Sequence, residues 1–276
     1  MKPNINFLLK PAYIVIVLLS FTIPNNSFAQ DKSEVFYQCA PCGCDSDEKI
    51  FEHAGDCPGC GMALIEKKAA NKPLGEVFKP LKSLDKPMNV AIFLFAHNQV
   101  LDFAGPYDVF VAGGDSFNVY TVGATSAPII TYPNLSINPQ YNITNAPKPD
   151  IIIIPAGMNN SVKQKARDWI LESAENAEYV LSVCNGAILI AELGLLDGLE
   201  ATAHMSGVDV LERNFPKIKK VHRNRRYVDN GKVITSGGVS AGIDASFYLM
   251  SKILGVERAQ AAANALEYIY WDPENQ

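Results

Sequence analysis

At 276 residues, with 48% of them hydrophobic and 19% charged, the chain can form one large domain with extensions, and its composition excludes a disordered protein. A formal net charge of -5 gives no reason to expect nucleic acid or an anionic membrane as a partner. Of six cysteines, five fall between Cys39 and Cys60 and the sixth is Cys184, a partition that implies two separate jobs.

Residues 1–29 read as a cleaved secretory signal. Lys2 and Lys10 supply the positive end, and residues 12–23 form an apolar run too short to span a bilayer comfortably. Pro24, Asn25 and Asn26 break that run, and Ser27-Phe28-Ala29 places small residues at the cleavage positions. The mature chain is therefore expected to begin near Gln30 and to be exported, to the periplasm or beyond, with no membrane attachment after cleavage. No cysteine stands at the cleavage point to carry a lipid anchor.

Residues 36–66 carry Cys39-Ala40-Pro41-Cys42-Gly43-Cys44 and then Cys57-Pro58-Gly59-Cys60-Gly61-Met62. Two Cys-x-x-Cys pairs on tight Pro/Gly turns can hold one tetrahedral metal ion through the thiolates of Cys39, Cys42, Cys57 and Cys60. So short a segment buries little core, and a metal would stabilise it. One or two disulfides are the alternative that export permits. Cys44, His53 and Met62 add soft or borderline donors, which leaves zinc, copper or another soft metal open. The segment resembles the short heavy-metal-binding domain found near the N-termini of copper-exporting ATPases and efflux adaptors, through Tyr37, Cys39 and the run from Cys57 to Leu64. It departs where that family has Met-His after the first Cys-Pro: Pro41-Cys42 stands here, with Cys44 added, which moves the expected metal toward zinc. Residues 67–87, with Pro73, Pro80 and Pro87 among scattered lysines, read as a linker.

From residue 88 to 276 the pattern is that of one further domain. Residues 90–95 are wholly apolar, as in a parallel strand covered on both faces. A helix is expected over 101–112, a strand over 117–122, a buried strand over 150–155, and a helix over 162–174. Strands alternating with helices predict an α/β domain built on a doubly wound, flavodoxin-like parallel sheet, with ligands beyond the carboxyl ends of the strands. His97, Gly157 and Cys184 all follow strand ends and are expected to share that rim.

In Tyr179-Val-Leu-Ser-Val-Cys184-Asn-Gly-Ala-Ile-Leu-Ile190 a strand meets a helix, with Cys184 at the joint between Ser182 and Gly186. A nucleophile on such a turn needs small neighbours, because its backbone is forced into a strained region. A helix N-terminus at the sulfur is expected to favour thiolate and lower the pKa. The plain alternative is a buried structural cysteine. In Leu101-Asp102-Phe103-Ala104-Gly105-Pro106 the carboxylate is either a helix cap or a proton carrier for the thiol. Pro155-Ala156-Gly157, with the amide of Asn185, can make an oxyanion hole, or simply turn the chain into a helix. His204 is the rival base, or a packed histidine. The Gly-rich 236–244 turn is read as anion-binding or as close packing, and the basic 217–226 run as a solvated edge.

Taken together, Leu-Asp102-Phe-Ala-Gly-Pro, Pro155-Ala-Gly157, Val-Cys184-Asn-Gly-Ala, Gly194-Leu-Leu-Asp-Gly198, Ala-Thr-Ala-His204 and Gly238-Val-Ser-Ala-Gly-Ile-Asp244 resemble the ordered motifs of the ThiJ/PfpI-type, class I glutamine-amidotransferase-like superfamily. Its isonitrile hydratase branch and the amidase-like domain of AraC-type regulators are the most similar, over about residues 88–270. The resemblance implies that Cys184 attacks an isonitrile carbon, that Asp102 handles protons, and that water releases an N-substituted formamide, with no cofactor in this domain. Asn185 stands where that branch usually has Thr, and Pro155-Ala156-Gly157 where Pro-Gly-Gly is frequent. The expected function is an exported cysteine enzyme, an isonitrile hydratase-like lyase or an amidase-like hydrolase acting on a small molecule. The alternative is a non-catalytic ligand- or metal-sensing protein of the same fold. Relatives often dimerise, so a homodimer is expected, with the Ala-rich 258–270 helix as either its surface or a packing face. AraC-type relatives carry a helix-turn-helix region beyond this domain, so a transcription factor is not expected of a sequence ending at Gln276.

Overall fold

A computed structural model describes residues 35–38, 46, 49–59, 61, 64–68, 84–268 and 271–272. The chain divides into two compact units, Met1–Pro73 and Leu74–Gln276. The expected signal segment and residues 69–83 of the expected linker lie outside the described residues.

In the first unit, β1 (Val35–Gln38) is the centre of a three-stranded antiparallel sheet between β2 (Ile50–Phe51) and β3 (Ile65–Lys68). Tyr37 stands opposite Phe51 on one side and Glu66 on the other. Cys57 is buried and opens a tight turn that closes with the Gly61 amide donating to the Cys57 carbonyl at 2.8 Å. Gly61 sits at φ +73°, a left-handed conformation that glycine adopts without strain. Cys39, Cys42 and Cys60, the other expected metal ligands, and the extra donors Cys44 and Met62, lie outside the described residues.

The second unit opens with β4 (Met88–Leu94), α1 (Val100–Ala112), β5 (Phe117–Gly123), the hairpin β6 (Ile129–Ile130) and β7 (Ser136–Ile137), and β8 (Tyr141–Asn142). It continues with β9 (Ile151–Ile154), α2 (Gln164–Asn176), β10 (Tyr179–Ser182), α3 (Gly186–Glu192), β11 (Glu200–Ala201), α4 (Met205–Asn214) and β12 (Lys220–Val221). It closes with β13 (Tyr227–Asp229), β14 (Val233–Ser236), α5 (Ala241–Leu254) and α6 (Val256–Ala265). Seven strands form one sheet in the order β13-β14-β10-β9-β4-β5-β8, parallel throughout except where β13 pairs antiparallel with β14. Helices cover both faces, so the inner strands lose the polar alternation of a half-solvated sheet. All four isoleucines of β9 are fully buried, each stabilising the fold by about 2 kcal/mol. Along β4, Val90, Ile92 and Leu94 pack on one face with Phe110 and Phe247, while Ala91 and Phe93 pack on the other with Ile170 and Leu189.

The fold is thus the doubly wound, flavodoxin-like sheet that strand–helix alternation predicts. After β4 the chain first adds β5 on one side, then β9, β10 and β14 on the other. The winding reverses between β4 and β9, and a crevice opens beyond the carboxyl ends at such a reversal. The segments leaving β4, β9 and β10 carry Asp102, Ala156 and Cys184.

Two helices differ from expectation. α2 begins at Gln164 rather than 162, because Asn159–Ser161 form a 3-10 turn and Lys163 is still extended at ψ 164°. α6 buries Ala259, Ala262 and Ala263 in the core that also holds Phe247 and Leu249. Its buried alanines form a packing face within this chain. Among the described residues no helix is long and apolar enough to cross a membrane.

Candidate active site beyond the central strands

Cys184 sits where β10 turns sharply into α3, at φ +59°. A left-handed conformation costs a non-glycine residue about 1–2 kcal/mol, so the surroundings must hold it. They do so at the backbone: the Cys184 amide donates to the carbonyls of Ser236 and Gly237, each at 3.1 Å. Small residues clear the space. A Cβ at Gly186 would land on the Ile154 carbonyl oxygen, and one at Gly242 would stand 2.5 Å from Val183 Cγ1. A Cβ at Gly238 would overlap the Cys184 sulfur itself. The Gly-rich turn before α5 is therefore explained by its close approach to the elbow.

Asp102 lies in the first turn of α1 and is fully buried. It is not the helix cap: Gln99 holds that position, without a side-chain cap. The carboxyl instead reaches across the crevice, and Oδ2 accepts the Ala156 amide at 3.1 Å. It also interacts with the Cys184 thiol, in a contact looser than a fully formed hydrogen bond, since Oδ1 has no partner of full hydrogen-bond geometry. Burial pushes the Asp102 pKa up to about 7, against the smaller lowering effects of the Ala156 amide and the thiol. Burial, and then the Asp102 charge, push the Cys184 thiol up to about 12, although the Asn185 amide works the other way.

That corrects the expectation of a low-pKa thiolate. At Cys184, 5% exposed, desolvation outweighs the favourable helix terminus. The resting pair is a neutral thiol beside a carboxyl that titrates near neutrality. Such a carboxyl can take a proton from the thiol and return it elsewhere.

Sequence reasoning missed Asn98. This fully buried residue accepts the Phe95 amide at 2.6 Å through Oδ1 and donates to the Ala156 carbonyl at 2.8 Å through Nδ2. Ala156 is therefore gripped on both sides, its amide by Asp102 and its carbonyl by Asn98 and the Gln99 amide. An asparagine one residue past an exposed turn carries no pattern that would single it out.

The expected oxyanion donors are distributed differently. The Ala156 amide is engaged by Asp102 and the Cys184 amide by Ser236 and Gly237. The Asn185 amide points at the sulfur. The Asn185 side chain turns away, donating to Ser206 Oγ at 3.1 Å. At Gly157 a Cβ would stand 2.6 Å from the Phe95 ring and 2.7 Å from Asn98 Nδ2, so close packing demands glycine there.

His204 caps α4: its Nδ1 accepts the Ser206 amide at 3.2 Å. Its Cδ2 edge lies 3.1 Å from where a Gly238 Cβ would be, which brings the ring beside the elbow with one nitrogen already engaged. His97, left-handed at φ +58°, is exposed, and its amide donates to the Ile130 carbonyl at 2.8 Å.

A hollow of about 220 Å³ opens next to Gly238 and His204, and Arg223, Arg225 and Arg226 line it. The basic run is a solvated edge, as expected: Lys217 and Lys219 pair with Asp197 and Glu200 on the surface, and Arg223 and Arg225 are exposed. Its arginines also border this hollow. A second hollow of about 260 Å³, near Met88, Asp150 and Tyr179, lies at the opposite ends of the strands.

A doubly wound sheet with a cysteine elbow at its winding reversal, and a buried carboxyl beside the sulfur, defines a recognisable class of α/β protein. The model of the DJ-1/PfpI family matches residues 88–254, and the chain belongs to that family. The heavy metal binding domain model matches residues 36–67. An isonitrile hydratase of Pseudomonas putida is 32% identical over 184 residues, covering 66% of this chain and 78% of the relative. The HTH-type transcriptional regulator CdhR of Pseudomonas aeruginosa is 24% identical, over 52% of this chain and 43% of its own length. Among solved structures, a THiJ/PfpI family protein from Pseudomonas syringae shares the fold with a TM-score of 0.64 at 23% identity, over 75% of this chain and 85% of that one. Drosophila melanogaster DJ-1beta does so with a TM-score of 0.59 at 18% identity, over 66% and 98%.

Proposed function

We propose that the large domain is a cysteine-dependent enzyme that adds water to a small isonitrile. The observation that carries this reading is the buried Asp102 carboxyl, with a pKa near 7, against the thiol of Cys184. The relative named an isonitrile hydratase supports the choice of substrate class.

In the first step Asp102 takes the thiol proton as sulfur bonds to the terminal isonitrile carbon. The proton then passes from Asp102 to that carbon, giving a thioimidate. Water adds to the same carbon, its proton moves to nitrogen, and the carbon–sulfur bond breaks. The products are an N-substituted formamide and the restored thiol, so one isonitrile and one water are consumed. The left-handed elbow presents the sulfur, and the Asn185 amide faces it.

For the small unit we propose a soft metal ion, zinc or another, held by Cys39, Cys42, Cys57 and Cys60. Of these, Cys57 is within the described residues, buried on a Cys-Pro-Gly turn of the kind that suits a thiolate ligand. Export rests on the sequence of residues 1–29.

The test is to incubate purified protein with a panel of isonitriles and small amides, beside Cys184→Ala. Formamide from the wild type alone is expected. Turnover that survives the substitution would overturn the assignment of the nucleophile, and an inert wild type would favour a ligand-sensing role.

A further inference from the structure

We propose that the hollow beside Gly238 receives a carboxylate carried by the substrate, and that Arg225 holds it. This names the substrate class of the site above and rests on that reading. Three residues with guanidinium groups line the hollow, and no carboxylate does. Two of the three are already engaged. Arg223 pairs with Asp209 at 2.8 Å and with Glu212, and Arg226 pairs with Asp244. Arg225 has no ion-pair partner among the described residues, and it is exposed.

Its backbone is nevertheless fixed. The Arg225 carbonyl accepts Thr202 Oγ1 at 3.4 Å, and the Arg226 carbonyl accepts the Gly237 amide at 2.8 Å. The arginine segment is thereby tied to the turn that lies against the Cys184 sulfur. A planar guanidinium with its donors unclaimed matches a carboxylate, and nothing in the lining competes for it. At about 220 Å³ the hollow is below the ~300 Å³ at which sites for drug-sized ligands begin, so the group it receives is small. Cys184 itself does not line the hollow, so a short molecule with its reactive carbon at the sulfur would reach past Gly238 to place its anionic end at Arg225. Gly238 and His204 line the hollow, and Gly238 is the lining residue that packs against the sulfur.

The experiment uses two alkylating reagents of nearly equal size. Iodoacetate is anionic and iodoacetamide is neutral. Modification of Cys184 is followed by peptide mass for both reagents in the wild type, Arg225→Gln and Arg225→Lys, at low salt and one alkaline pH. The ratio of the iodoacetate rate to the iodoacetamide rate is expected to fall about fivefold in Arg225→Gln, the worth of one charge contact at a solvated site. Arg225→Lys should keep the ratio, and 1 M salt, roughly a 3 Å screening length, should bring the wild type down to the Gln value. Equal ratios in wild type and Arg225→Gln would overturn the role of Arg225 while leaving the nucleophile intact. A thiol that neither reagent modifies would overturn both.

Discussion

The Cα of Gly238 stands so close to the Cys184 sulfur that no side chain fits between them. The clash would be with the sulfur and with His204 Cδ2 at 3.1 Å, and the elbow that carries the sulfur is pinned by Ser236 and Gly237. Gly238→Ala is therefore expected to cost stability, about 1–3 kcal/mol as for other overpacked sites. It should also slow iodoacetamide labelling of Cys184 by more than tenfold relative to wild type. Denaturant melts and labelling rates on the same preparation check both effects. A variant that labels normally would show that the sulfur is approached from another side.

Asp102 gives a prediction in pH. Its folded pKa lies above its ordinary value, so ionisation is disfavoured in the native state. The unfolded chain releases this proton near pH 4 and the native one near 7. Stability attributable to this group is therefore fully present below pH 4 and falls as pH rises toward 7. Asp102→Asn does not titrate, so its stability relative to wild type should improve across that window, by at most about 4 kcal/mol. Activity should move the other way. Wild-type kcat/KM should rise with pH through about 7 as the base forms, and Asp102→Asn should lose about 10²–10⁴-fold. Removing the carboxylate charge also removes part of what raises the thiol, so Cys184 labelling in the variant should begin at lower pH. Chemical denaturation, kinetics and labelling across pH 4–10 separate these three outcomes.

The small unit predicts a metal stoichiometry. Protein lacking residues 1–29, prepared under reducing conditions, should carry close to one equivalent of zinc or another soft metal by elemental analysis. Replacing Cys57 and Cys60 together by Ser should abolish it, while formamide production by the large domain persists. Full oxidation of these cysteines with no metal bound would instead support the disulfide reading.

Much of this arrangement is legible in the sequence. The unbroken apolar runs at 90–95 and 151–154 announce strands covered on both faces, because only burial tolerates four consecutive isoleucines. Cys184 between small residues at a strand–helix joint announces the elbow. The pKa of that thiol is not legible, since it depends on how deeply the sheet's crevice buries it and on a carboxyl 82 positions away in sequence. Asn98 and the arginines were hidden for a similar reason. A lone asparagine in a turn looks like solvated surface until the fold shows it buried against Ala156, and an exposed basic run gains meaning only once the fold sets it beside a hollow.

The strain at Cys184 can be measured apart from its chemistry. At φ +59° any residue with a Cβ is disfavoured, and glycine is not. In ordinary helix or strand interiors, glycine in place of alanine destabilises by about 0.5–1 kcal/mol. At this position the order should invert. Both Cys184→Ala and Cys184→Gly remove the sulfur and the contact with Asp102, so comparing the two cancels those losses. Cys184→Gly is expected to be the more stable of the pair by about 1 kcal/mol, the left-handed penalty less the added chain entropy of glycine. Urea denaturation at a single pH measures the difference directly. Should alanine prove the more stable, the elbow is relaxed in solution, and the sulfur is held by packing from Gly238 and Val183 rather than by the turn.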